Sequence, residues 1–198
     1  MIKKHPSFSD LSALLHKASG DLTIEWHGTV FRCVAPKWAR PEYLVSGKGT
    51  LRFGSRWMAP GLTSAVYAAS TEAIALKESR RLLRHFGIRK PRLHPKVIVE
   101  MEVTLKRVAD LSLIDKILSW PTLEELLGED WERINSRGVE TLSQAFGRAL
   151  WVSGHAGLLV PSTRDRRGRN LVWFPSNLAK DDAIRISGES ELDDWIVK

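Results

Sequence analysis

Residues 97–105, VIVEMEVTL, place Val97, Val99, Met101, Val103 and Leu105 at every second position, with Glu100, Glu102 and Thr104 between them. Side chains two apart share one face of a strand, so this pattern requires an extended segment with that face in a core. A helix would scatter the same residues around its surface. The chain must therefore build a sheet, and the strand-like segments 29–35, 65–69, 156–160, 170–174 and 183–186 are its predicted partners. Helices are predicted at 9–18, capped by Ser9 with Leu11, Leu14 and Leu15 on one face, at 121–127 opening on Pro121, and at 140–152 stopped by Gly154. Strands and helices do not alternate regularly, so a doubly wound sheet is excluded and an α+β fold is expected, a mixed sheet flanked by helices.

With 198 residues, 43% of them hydrophobic, the chain has enough material for one sizeable domain with an appended segment. The predicted division is an N-terminal helical extension, 1–28, packing outside a central domain, 29–198. The longest apolar runs are too short to cross a bilayer, and MIKKHPSFSD lacks the apolar centre of a signal peptide, so a cytoplasmic protein is expected. The single cysteine, Cys33, lies in the apolar run VFRCVA and reads as a buried strand thiol. The six His residues have no HxxxH or HExxH spacing, and no protein-held metal is expected.

The net charge of +7 is spread over Lys3 and Lys4, over Arg80, Arg81, Arg84, Arg89 and Lys90, and over Arg164, Arg166, Arg167 and Arg169. Without a groove-reading helix, these residues read as a solvated basic surface, and a nucleic-acid or acidic-protein binding module is the alternative to an enzyme.

One residue stands out chemically. The segment 70–86, STEAIALKESRRLLRHF, has a Ser/Thr cap and strong helix formers, and steps of four align Ile74, Glu78, Leu82 and Phe86. A carboxylate in that apolar stripe must either be paired or line a cavity where its charge is used. A second unusual stretch is GKGTLRFGSRWMAPG, 47–61, where glycines surround Arg52, Arg56 and Trp57. Glycine lets backbone approach a ligand, and a guanidinium fork suits phosphate oxygens, although a solvated turn has the same composition. The run PSTRDRRGRN then reads as a polar turn between two strands, with Ser162 at a strand end.

Taken in order, VFRCVA, GSRW, VYAAS, the ALKE helix and LLVPSTRDRRGRNLVWFP resemble the RES-domain family, named for its Arg, Glu and Ser, over about residues 29–175. Carried onto this chain, the three residues are Arg32, Glu78 and Ser162, and the family's second Arg and pocket Tyr match Arg56 and Tyr67. Family members commonly read GGRWN where this chain has GSRWM, so Ser55 replaces a glycine and Met58 an asparagine. The resemblance implies an ADP-ribosyltransferase-like fold and an NAD-consuming toxin of a bacterial toxin–antitoxin pair, with NAD as substrate and a cognate Xre-like antitoxin blocking the site. Phosphate, water or a protein target would accept the ADP-ribose. It further implies Glu78, Arg32 and Ser162 as catalytic residues, and Arg32, Arg56, Tyr67, Trp57 and Ser162 as NAD-binding residues. Each has a structural alternative: an Arg32–Glu78 ion pair, Tyr67 and Trp57 as core, Ser162 as a turn residue.

Overall fold

The computed structural model describes residues 2–85, 96–162 and 168–188, with the side chains of 80–85 outside that description. In chain order the elements are α1 (Phe8–Leu22), β1 (Thr23–Val34), α2 (Pro41–Leu44), α3 (Lys48–Phe53), β2 (Val66–Ala69), α4 (Glu72–His85), β3 (Val97–Asp110) and α5 (Ile114–Ile117). They continue with α6 (Leu123–Gly128), α7 (Trp131–Ser136), α8 (Leu142–Val152), β4 (Gly157–Pro161), β5 (Arg169–Trp173) and β6 (Ala183–Ile186). The fold is α+β, as the mixed pattern of the sequence required.

The sheet runs β1-β2-β5-β4-β3-β6, and β1 also pairs with β3. That extra pairing closes β1, β2, β5, β4 and β3 into a ring, with β6 beside β4 on the outer edge of β3. The closed side holds one apolar core to which every ring strand contributes: Val30, Val66, Ala68, Val99, Met101, Val103, Leu159, Leu171 and Trp173. The alternation in 97–105 is explained here, since Val99, Met101, Val103 and Leu105 are buried and Glu100 and Glu102 are exposed. The ring has a narrow seam. Strands β1 and β2 share a single register pair, Phe31 with Ala69, whereas β1 follows β3 along nearly its whole length.

A second core lies outside the ring, between its strands and α1, α6 and α8. Gly147 permits the closest approach: a Cβ there would stand 1.9 Å from the Trp57 carbonyl oxygen. Helices α6 and α8 begin with reciprocal capping boxes, Thr122 with Glu125 and Thr141 with Gln144. Pro121 therefore precedes the cap of its helix, and Glu140 lies outside α8. From there the Glu140 carboxylate receives Arg148 Nε at 2.8 Å and Nη2 at 2.7 Å.

The N-terminal segment does not pack outside the fold as expected. Leu11, Leu15, Ala18 and Leu22 of α1 are buried in the core shared with α8, and β1 starts at Thr23, so position 28 lies within a strand. Ahead of α1, Lys3 bridges Val139 and His5 N–H donates to Glu140 Oε2 at 2.8 Å, and at the first residue of α1 the Arg148 guanidinium stacks on Phe8. Helix 9–18 is thus longer than predicted because its apolar stripe continues to Leu22. The short helices α2, α3, α5 and α7 have no counterpart in the sequence reading, because one or two turns carry too little periodicity to register.

Candidate active site

Strand β2 carries Tyr67 on the outer face of the ring, where it packs against the second core. Its hydroxyl accepts the Trp57 N–H at 3.1 Å and stands 2.5 Å from Ser55 Oγ. The turn that brings these two groups together follows α3. Gly54, at φ 73, breaks the helix and leaves no room for a side chain against Pro60, and Ser55 N–H closes the turn on Met58 O at 2.8 Å. Gln144 Nε2, buried at the first turn of α8, holds the Ser55 carbonyl at 2.7 Å. GSRW is therefore a seated turn. The indole of Trp57 lies in the core at 1% exposure, and what this residue offers the site is its backbone N–H.

Arg56 points towards α6. Its Nη1 donates to the carbonyls of Leu126, Leu127 and Glu129 at 3.4, 2.9 and 3.1 Å, groups that a helix C-terminus leaves without internal partners. The guanidinium thereby ties the GSRW turn to the 111–140 region.

Helix α4 packs on the same outer side, over Phe31, Cys33 and Ala69. Thr71 Oγ1 caps it by accepting the Ile74 N–H at 3.3 Å. Its buried face is Ile74, Ala75 and Ser79, with Glu78 half-buried on the border; the Leu82 side chain and Phe86 lie outside the described residues. Glu78 Oε1 accepts Asn170 Nδ2 at 3.3 Å. Burial pushes the Tyr67 hydroxyl up to about 12; the Ser55 and Trp57 hydrogen bonds and the Arg56 charge pull it down, and the Glu78 charge pushes it up. Glu78, Tyr67 and Arg56 thus share one electrostatic neighbourhood.

Ser162 directly follows the last residue of β4, buried at 6% exposure, its N–H on Gly168 O at 2.8 Å. It lies two positions beyond Val160, the register partner of Asn170, and hence on the same strand face. Arg164, Arg166 and Arg167 of the turn expected from the sequence, with Arg89 and Lys90, lie outside the described residues.

Arg32 stands apart from this group. Strand alternation puts it on the face of β1 that carries Val30, opposite the face that Phe31 and Cys33 present to α4. It donates to the Leu44 carbonyl, and burial alone lowers its pKa to about 10. The alternative reading as an Arg32–Glu78 ion pair is not what forms, since each has a different partner.

The sequence profile of the RES domain matches residues 29–195. The chain belongs to the RES-domain family. Among curated relatives, the NAD(+) phosphorylases MbcT of Mycobacterium tuberculosis and Mycobacterium bovis are each 29% identical to it over 150 residues, 71% of this chain and 70% of theirs. The crystal structure of the M. tuberculosis MbcT–MbcA toxin–antitoxin complex superposes with a TM-score of 0.68 at 22% identity, covering 95% of this chain and 97% of that one. At that identity the superposition establishes a shared fold. Among the described residues no helix is long and apolar enough to cross a membrane, and no group of three or more His, Cys, Asp or Glu gathers as a metal site.

Two residues of the site escaped the sequence reading. Asn170 had a visible signal, a polar amide inside the apolar strand NLVWF where Asn is disfavoured. Gln144 gave none beyond its place in a capping box, because its contact with Ser55 joins residues 89 positions apart.

Proposed function

We propose that this chain is an NAD-consuming toxin that cleaves the bond between nicotinamide and ribose and passes ADP-ribose to an acceptor. The observation that carries the reading is the placement of Glu78 beside Tyr67 and Asn170, in a RES domain related to NAD(+) phosphorylases. As the C–N bond breaks, its electron pair goes to nicotinamide, which leaves neutral, and the ribose carbon develops oxocarbenium character. The Glu78 carboxylate stabilises that charge and holds a ribose hydroxyl. Tyr67 stacks through its ring, because its hydroxyl is engaged by Trp57 and Ser55. Ser162 hydrogen-bonds near the ribose, and Arg56 keeps the turn beneath Tyr67 in place while contributing positive charge. Arg32 takes the pyrophosphate. Its separation from Glu78 suits the part of a dinucleotide remote from the scissile bond, and an anion would compensate a guanidinium that burial disfavours.

Phosphate is the acceptor we favour, because the curated relatives are named phosphorylases; its oxygen would form the new bond to the ribose carbon. Water and a protein side chain are the other acceptors to be distinguished. The net charge of +7 suits an acidic antitoxin, Xre-like by the family resemblance, that covers the site in the cytoplasm.

The test is mass spectrometry of NAD incubated with the purified, antitoxin-free protein, with and without phosphate and with cell lysate, beside Glu78→Gln. Nicotinamide released by the wild type and not by the variant supports the reading, and the companion product names the acceptor. No nicotinamide from folded protein under any condition overturns it and favours the basic binding module.

A further inference from the structure

Asn170 occupies a position where a strand rarely holds an amide. It pairs with Ala69 of β2 on one side and Val160 of β4 on the other, inside the ring, and is followed by buried Leu171, Val172 and Trp173. Asn is depleted from strands, and a half-buried amide is unfavourable there unless it is hydrogen-bonded. The alternation that sends Leu171 into the ring sends Asn170 outward to α4, one turn beyond the Ile74 contact, where its Nδ2 meets Glu78 Oε1 at 3.3 Å. Glu78 has no other hydrogen bond among the described residues. A Glu side chain on a helix border turns about several bonds, and a single fixed donor on the sheet removes much of that freedom.

We infer that Asn170 is a positioning residue for Glu78: its amide anchors one carboxylate oxygen against the sheet and leaves the other directed at the ribose. The inference rests on the proposed NAD reaction. A neutral donor suits the task because it orients the carboxylate while leaving its negative charge available to the developing oxocarbenium. Among the described side chains on the elements around Glu78, the titratable or charged groups include Arg56, Tyr67, Cys33, the exposed Glu72 and Lys77 of its own helix, Arg32 on the opposite face of β1, and Arg169 of β5, which pairs with Asp110.

The experiment compares wild type, Asn170→Ala and Asn170→Asp in nicotinamide release, thermal stability and an isotope-edited NMR titration of the Glu78 carboxyl. For Asn170→Ala, kcat falls by about 10²-fold with KM within about threefold, as expected when a reacting group loses its orientation. Asn170→Asp, nearly the same size, moves the acid limb of kcat and the Glu78 titration to higher pH, because two adjacent carboxylates hold a proton more tightly. A folded Asn170→Ala enzyme with wild-type kcat, or a Glu78 titration identical in all three proteins, overturns the assignment. If Asn170→Ala does not fold, Asn170→Asp and its titration decide. A wild type inactive on NAD sinks the proposed reaction, while the titration still tests the Asn170–Glu78 coupling by itself.

Discussion

Ser55 Oγ lies 2.5 Å from the Tyr67 hydroxyl, which also accepts the Trp57 N–H at 3.1 Å. Because the N–H can only donate, the phenol proton is free to point to Ser55, whose own hydroxyl reaches the Met58 carbonyl at 3.5 Å. The residue that departs from the usual GGRW pattern therefore fixes the tyrosine. Tyr67→Phe leaves the buried Trp57 N–H and the half-buried Ser55 hydroxyl without their tyrosine partner and lowers stability by about 2 kcal/mol, a Tm drop of about 4–8 °C. Ser55→Gly removes a hydrogen bond that favours the phenolate, so Tyr67 titrates at higher pH than in the wild type. Absorbance titration in a Tyr43→Phe background reads this, and an unchanged titration would contradict the hydrogen-bond chain.

Arg56 serves the α6 carbonyls before any ligand. Arg56→Ala releases three acceptors and weakens the tie between the GSRW turn and 123–129. The expected loss is about 2 kcal/mol in urea denaturation, with a raised KM for NAD from the loosened turn. Arg56→Lys recovers only part of it, because an ammonium lacks the planar fork. Wild-type stability in Arg56→Ala would remove the structural role.

His155 is buried, with its ring nitrogens 2.8 Å from Ser153 Oγ and 2.9 Å from Thr23 Oγ1. Burial, and then the Arg107 charge, lower its pKa from 6.5 to about 4. The unfolded chain takes up the proton near 6.5 while the folded chain does not until about 4, so the unfolded state binds more protons in that window. Stability is then lost as pH falls from 6.5 towards 4, by about 3 kcal/mol at the lower end. Urea midpoints of His155→Gln followed across this range should change less steeply than those of the wild type; parallel curves would show that His155 contributes nothing to acid sensitivity.

Arg148 and Glu140 form a buried bidentate pair, 4% and 1% exposed, completed by the His5 N–H and the Phe8 ring. Removing one partner strands a charge, so Glu140→Leu or Arg148→Met alone costs about 3–5 kcal/mol. The double change Glu140→Leu with Arg148→Met costs much less than the sum. Additive losses in that cycle would mean the two residues do not act as a pair.

The strand alternation of 97–105, the Ser/Thr cap of α4 and the motif order were readable in the chain, because each is encoded within a few neighbouring residues, whereas the first helix is capped at Ser7 rather than Ser9 and the later two at Thr122 and Thr141. Those signals were enough for the α+β class and for the family. They also named Glu78, Tyr67, Arg56 and Ser162, which the fold gathers on one side of the ring.

Tertiary structure alone decided the rest. Closure of β1 onto β3 pairs Arg32 with Val99 across 67 residues of chain, and it turns Arg32 to the face away from Glu78. Seating of Trp57 beneath Gly147, burial of α1 against α8, and delivery of Asn170 to Glu78 likewise join segments distant in sequence. Local periodicity states that a residue has an inward and an outward side. Which element it then meets is set by the free energy of burying all those faces at once, and that depends on contacts no short stretch of sequence contains.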